Sequence, residues 1–139
     1  MTKTRAQQIM SDKDARTPQE VTQCIHDIAA EFEPYIIRQR RHFHKHPEPS
    51  LAEVRTTSDI ANQLDAMNIP YERPLKTGLV ATLRGTAPDA YREDGTPRRR
   101  ILLRADIDAL PVTEQTGEEF ASVNEGFMHA CGHDCHIAM

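Results

Sequence analysis

The segment Met128-His-Ala-Cys-Gly-His-Asp-Cys-His136 brings His129, Cys131, His133, Asp134, Cys135 and His136 together within eight residues. Thiolate, imidazole and carboxylate are the donors that hold zinc or another divalent transition metal. The intervening Ala130 and Gly132 let the backbone turn tightly around an ion. A zinc knuckle and a chance histidine-rich tip are the competing readings. A knuckle needs a second Cys/His pair at finger spacing, and the sequence has none, so a four-ligand structural site cannot be completed locally. A thiol nucleophile at Cys131 or Cys135 would need a histidine general base and leaves the surrounding ligand-type side chains unexplained.

Two further groups could support such a site. Asp106 and Asp108, in Ala-Asp-Ile-Asp-Ala-Leu-Pro111, alternate where an apolar run ends, so in extended geometry they point to opposite faces. Only one can face a given metal. An aspartate beside His133 is chemically sensible, because a metal-bound imidazole commonly donates its second N–H to a carboxylate; loop capping explains the same residues equally well. His42, His44 and His46 precede Pro47-Glu48, and 42 and 46 share a helical face. The favoured reading is a helix-end cluster complementing the dipole rather than a metal site. Cys24, beside Ile25, reads as a small core residue.

The elements that must position these groups follow from pattern. Residues 1–16 are polar and aperiodic and read as a disordered leader. Thr17-Pro-Gln-Glu20 is a capping box with proline at the first helical position, and Val21, Ile25, Ile28, Ala29 and Phe32 recur at helical spacing. Pro34 should interrupt or kink this helix, with a second stretch running to Pro47. Ser50-Leu-Ala-Glu53 predicts a second cap, for a helix over about 51–68. Residues 71–73, 78–83 and 101–104 read as strands, the last two as short apolar runs covered on both faces. The segment 85–100 reads as an exposed loop or hairpin tip. Residues 112–127 look irregular, and a new helix should begin near Asp134.

With 139 residues, 38% hydrophobic and 27% charged, the chain has room for one globular domain. Its formal charge of −4 gives no reason to expect nucleic-acid or anionic-membrane binding. The sequence contains neither a membrane-span-length apolar run nor a secretory signal at Met1, and three cysteines cannot close a disulfide framework, so the expected compartment is the cytoplasm.

Three blocks, taken in order, resemble the amidohydrolase branch of the aminoacylase/carboxypeptidase family of co-catalytic metallopeptidases, which includes hippurate hydrolases, N-acyl-amino-acid amidohydrolases and hydrolases of indoleacetyl-amino-acid conjugates. They are Arg41-His-Phe-His-Lys-His-Pro-Glu48 with Ser50 and Glu53; Leu103-Arg-Ala-Asp-Ile-Asp-Ala-Leu-Pro111 with Glu114, Thr116-Gly117 and Phe120-Ala-Ser122; and the 128–136 segment. The resemblance covers about residues 36–139. It implies an α/β fold, the amino-terminal part of a zinc-peptidase-like three-layer catalytic domain with two helices followed by strands of a mixed sheet. It implies that Cys131 and His133 ligate a two-metal centre of Zn or Mn, with Asp108 close behind. In the family a glutamate serves as general base and then acid, and it lies downstream, as do the remaining ligands and the lid domain that mediates dimerisation. The resemblance therefore implies an amino-terminal portion, residues 17–139, without the lid. The implied reaction is hydrolysis of the amide bond of N-acyl amino acids, with the chain by itself inactive and homodimerisation confined to a longer form. The alternatives are a truncated metal-binding remnant and a small structural zinc module. Two departures stand out: Cys135, where the family usually has glycine, adds a soft donor able to compete for metal or oxidise with Cys131, and the polar insert near residues 89–100 is long.

Overall fold

The computed structural model describes residues 17–87 and 89–139. The leader expected over 1–16 lies outside them. Helix α1 (Pro18–Lys45) is followed by α2 (Val54–Ala66), strands β1 (Tyr71–Glu72) and β2 (Val80–Ala81), and α3 (His133–Ala138). The chain divides into two compact units, Met1–Gln39 and Arg40–Met139.

In the first unit the capping box forms as its sequence predicts. Thr17 N–H and its hydroxyl donate to Glu20 Oε2 at 2.7 and 2.8 Å, and Glu20 N–H returns a bond to Thr17 Oγ1 at 3.3 Å. Of the two outcomes expected at Pro34, interruption does not occur: α1 runs through it from Pro18 to Lys45. A proline inside a helix removes one backbone bond and crowds the preceding turn, but the helix, 28 residues in all, continues on both sides of it and outweighs that local loss. The apolar stripe is largely open to solvent, with Val21, Ile25 and Phe32 between 44% and 61% exposed.

In the second unit α2 starts later than expected and is capped by a different residue. Ala52 N–H donates to Pro49 O at 3.0 Å, closing a turn that puts Leu51 at φ 65°, in the left-handed region. This turn consumes the Ser50 segment, so the Ser50/Glu53 capping box does not form, and α2 begins at Val54 without a side-chain cap from Glu53. Glu48 supplies the cap. Its Oε1 accepts Arg55 N–H at 3.0 Å, and its Oε2 accepts Thr56 N–H and the Thr56 hydroxyl at 2.7 and 2.8 Å. A carboxylate there also complements the positive end of the helix.

The fold is α/β, with the helices followed by strands, but among the described residues the sheet is a single antiparallel pair in register Tyr71↔Ala81 and Glu72↔Val80. Of the predicted strands, 78–83 shortens to β2 and 101–104 is not a strand. Ile101, Leu102 and Leu103 are 87–90% exposed. An apolar run becomes a strand only when neighbours pair its backbone and cover its faces, and no described residues do so here. The 85–100 loop is a hairpin tip as predicted, with an isolated bridge Tyr91↔Pro97 and Arg92 N–H on Thr96 O at 2.8 Å.

The interior of the second unit is held by hydrogen bonds as much as by apolar packing. Phe43, Ala61, Ala109 and Ala138 are buried, but so are His44, Glu53, Thr56, Thr57, His129 and Asp134. Leaving a buried polar group unpaired is costly, so the pairs that His44, Thr56, Thr57 and Asp134 make determine the local structure.

Candidate metal centre

The segment after α1 acts as a rail on which the later chain is laid. Ala109 N–H donates to Glu48 O at 2.8 Å beside the parallel bridge Pro49↔Ala109. Val123 N–H reaches Lys45 O at 2.9 Å, and the Asn124 side-chain amide reaches Pro47 O at 2.6 Å. Leu110 and Met128 then exchange both backbone bonds at 3.0 Å. These bonds fix Asp108 just before the anchored Ala109 and deliver residues 129–133 immediately after the anchored Met128.

Gly132 makes the turn into α3. Its φ is +80°, and a Cβ added there would meet nothing within 4 Å, so glycine is needed for its backbone conformation rather than for space. Cys135 N–H and His136 N–H both return to Gly132 O, at 3.0 and 3.3 Å. The helix expected near Asp134 begins at His133.

The structure brings His133 and Asp108 together. His133 Nδ1 lies 2.9 Å from Asp108 O and 3.0 Å from Asp108 Oδ1. Both partners are acceptors, so Nδ1 carries the proton and Nε2 keeps the lone pair that a metal takes. Asp106 goes elsewhere: its Oδ1 pairs with Arg104 at 2.6 Å on the exposed surface. Alternation along the chain thus separates the two aspartates, as strand geometry predicts even though no strand forms. Cys131 and Cys135 are exposed thiols.

His129 is 4% exposed, and both its ring nitrogens lack hydrogen-bond partners, as does the buried Asp134 Oδ1. Burial holds the His129 ring below its ordinary pKa of 6.5; Asp134 opposes this, His44 and His133 add to it, and Asp108 opposes it. The neutral ring is the form suited to such surroundings.

Sequence reasoning treated His42, His44 and His46 as one dipole-complementing cluster, and the structure separates them. His42 Nε2 pairs with Asp59 Oδ2 at 2.8 Å, and its ring sits 5.3 Å from that of His46. His44 is buried at 3% exposure, with Nδ1 2.7 Å from Asp134 Oδ2 and Nε2 3.1 Å from Glu114 Oε1. Arg40 Nε reaches the same Asp134 Oδ2 at 2.9 Å. Its 3.5 Å approach to His44 Nδ1 brings together two donors that share one acceptor. Glu114 also accepts Ser122 N–H at 2.6 Å and the Thr116 hydroxyl. Burial alone would raise the Glu114 carboxyl; the Thr116, Ser122 and His44 hydrogen bonds and the His44 charge outweigh it and leave the group below its ordinary 4.5. Sequence reasoning missed this network, although the i,i+4 spacing of Arg40 and His44 places both on one helical face.

A divalent metal fits the chemistry of part of this arrangement. Cys131 offers a soft donor and His133 an oriented nitrogen. Among the described residues no three His, Cys, Asp or Glu side chains converge as a group able to hold an ion. The same residues contain no helix long and apolar enough to cross a membrane.

Residues 102–139 match Peptidase family M20/M25/M40. Uncharacterized hydrolases of Staphylococcus epidermidis and Staphylococcus saprophyticus are each 45% identical over 102 residues, covering 73% of this chain and 24% of theirs. The chain thus spans about a quarter of the length of the curated relatives it matches. The solved structure of Bacillus subtilis YXEP protein, described as a dinuclear metal binding peptidase from the M20 family, superposes with a TM-score of 0.67 at 43% identity, over 78% of this chain and 29% of that one. By sequence and fold together, over the part of their length that it spans, the chain is similar to peptidases of the M20 family.

Proposed function

We propose that Cys131 and His133 are two ligands of a dinuclear metal centre in a hydrolase that cleaves the amide bond of N-acyl amino acids, with Asp108 orienting His133. The observation that carries this reading is the approach of His133 Nδ1 to both Asp108 O and Asp108 Oδ1, at 2.9 and 3.0 Å. That pairing fixes one tautomer and presents Nε2, the arrangement expected of a metal-ligating histidine. The dinuclear part is supported by the description of the B. subtilis neighbour, and the hydrolase part by the names of the staphylococcal relatives. The N-acyl amino acid as substrate rests on the three sequence blocks.

Bound divalent metal, Zn or Mn, would supply Lewis-acid polarisation of the amide carbonyl and a water acidic enough to ionise near neutrality. The chain's own residues orient and hold. Asp108 sets the His133 ring, Gly132 turns the backbone so that Cys131 and His133 flank it, and the bonds along residues 45–49 keep Asp108 in reach.

Two donors do not complete a tetrahedral site. The 139-residue chain is therefore expected to bind zinc or cobalt weakly and to turn over no substrate. Titration against a chromophoric chelator should give one weak site, lost in Cys131→Ser and in His133→Ala. N-acetyl- and N-benzoyl-amino acids should remain intact with added Mn or Zn. Metal binding unchanged in both variants would exclude the ligand assignment. Metal-dependent turnover by the chain, abolished by Cys131→Ser, would exclude the expectation of inactivity. A structural zinc module would instead unfold on chelation; among the described residues no third donor converges with Cys131 and His133 to support it.

A further inference from the structure

His44 lies at the centre of a buried network that the proposed metal chemistry does not use. Its ring joins three stretches of chain: the end of α1, the 114–122 loop and the start of α3. Nδ1 faces Asp134 Oδ2 at 2.7 Å and Nε2 faces Glu114 Oε1 at 3.1 Å, with all three side chains at most 5% exposed. Phe120 packs edge-on against the ring at 5.6 Å, and the Arg40 and Arg41 guanidinium groups each lie 5.0 Å from the Phe120 ring centre. Carboxylates face both nitrogens, so the doubly protonated ring satisfies both, whereas a neutral ring would turn a lone pair towards one of them.

The position of Asp134 gives this network its consequence. It is fully buried and directly follows His133 in sequence. Helix α3 has only six residues. A helix that short is not held by its own backbone bonds, so its first turn stays where side-chain anchors hold it. Two anchors act on consecutive residues: Asp134, gripped by His44 and Arg40, and His133, resting on Asp108. Loosening the first frees the second to rotate.

We propose that His44 is a positioning residue for the ligand-bearing segment: clamped between Glu114 and Asp134, it fixes the start of α3 and thereby the tautomer and direction in which His133 is presented. This rests on the reading of Cys131 and His133 as ligands. His44 touches neither metal nor substrate and acts through Asp134.

The test uses the 139-residue chain with 15N-labelled histidine, comparing wild type with His44→Gln, which keeps one donor, and Glu114→Gln, which keeps His44 but removes one side of the clamp. Circular dichroism melts choose a temperature at which each variant is folded. Two quantities are then read. One is the tautomer of the metal-free His133 ring, from long-range 15N–1H correlation. The other is cobalt affinity, from the thiolate-to-cobalt charge-transfer band. Wild type should show His133 protonated at Nδ1. His44→Gln should show mixed tautomers and bind cobalt about tenfold more weakly, the lower end of what removing an outer support of a ligand costs. Glu114→Gln should move both readouts in the same direction by less. A purely structural role would lower the melting temperature and leave both readouts unchanged; that result in folded His44→Gln overturns the proposal. Should His44→Gln not fold, the same null in Glu114→Gln overturns it. Absence of a cobalt band in wild type would defeat the ligand reading instead, while the tautomer comparison still decides whether His44 positions His133.

Discussion

Replacing Asp108 with alanine tests how His133 is held. Supporting partners of metal-ligating histidines commonly contribute ten- to a hundredfold in metal affinity, about 1.4 to 2.7 kcal/mol. Here the lower figure applies, for two structural reasons. His133 Nδ1 has two acceptors, and Asp108→Ala removes only the carboxylate at 3.0 Å, leaving the backbone oxygen at 2.9 Å to hold the tautomer. The Asp108 side chain is also 28% exposed, so water screens part of its charge. The expected loss is about tenfold, or about 1.4 kcal/mol. Asp108→Asn keeps an acceptor without the charge and should lose roughly threefold, about half that free energy. The assay is competition for zinc against a chromophoric chelator at fixed neutral pH, with wild type and both variants side by side. Wild-type affinity in Asp108→Ala would refute the support role. A loss well beyond a hundredfold would refute it in the other direction, because a carboxylate that important would itself be a ligand.

Other perturbations probe the frame around the site. Glu48→Ala strips three bonds from the first turn of α2, two of them to the buried Thr56; it should destabilise the chain by about 2 kcal/mol, and Glu48→Gln by about half that, read by urea denaturation. Glu114 sits below its ordinary pKa of 4.5 in the folded chain, so its contribution to stability is fully present above that value and is lost as pH falls through the lower, folded value. Denaturation midpoints measured stepwise below pH 4.5 should therefore fall less steeply in Glu114→Gln than in wild type. Gly132→Ala should cost about 1 kcal/mol from the positive φ alone, and Gly132→Asn less, because asparagine tolerates the left-handed region; equal costs would point to a steric cause that the open space around Gly132 does not supply.

The parts of this fold legible in the sequence are those governed by near neighbours. The Thr17/Glu20 capping box, the two helices, the hairpin tip and the start of α3 all depend on residues within a few positions of one another. The failures came where a distant or less obvious partner won. Glu48 took the cap assigned to the Ser50 segment because the turn at Leu51 delays the helix until the Glu48 carboxylate lies over its first turn. The 101–104 run has the composition of a buried strand, yet strand formation depends on pairing that composition cannot supply. At the site, the Asp108–His133 approach followed from residue types and alternation, whereas the buried role of His44 depended on partners 70 and 90 positions away.

The two kinds of outcome share a cause. Around the candidate ligands the chain is held by directional contacts: backbone bonds from residues 45–49 to 109 and 123, the Leu110 and Met128 exchange, and the charges around His44. Each specifies a partner atom, so together they can fix Asp108 against His133 without a completed sheet. Apolar burial specifies no partner and requires only that something cover the surface. The same chain can therefore hold a defined polar geometry at residues 108–134 while residues 101–103 remain almost wholly exposed. The local geometry of the ligand pair depends on its hydrogen-bonded frame, and substitutions within that frame should affect metal affinity more than substitutions in the exposed apolar run.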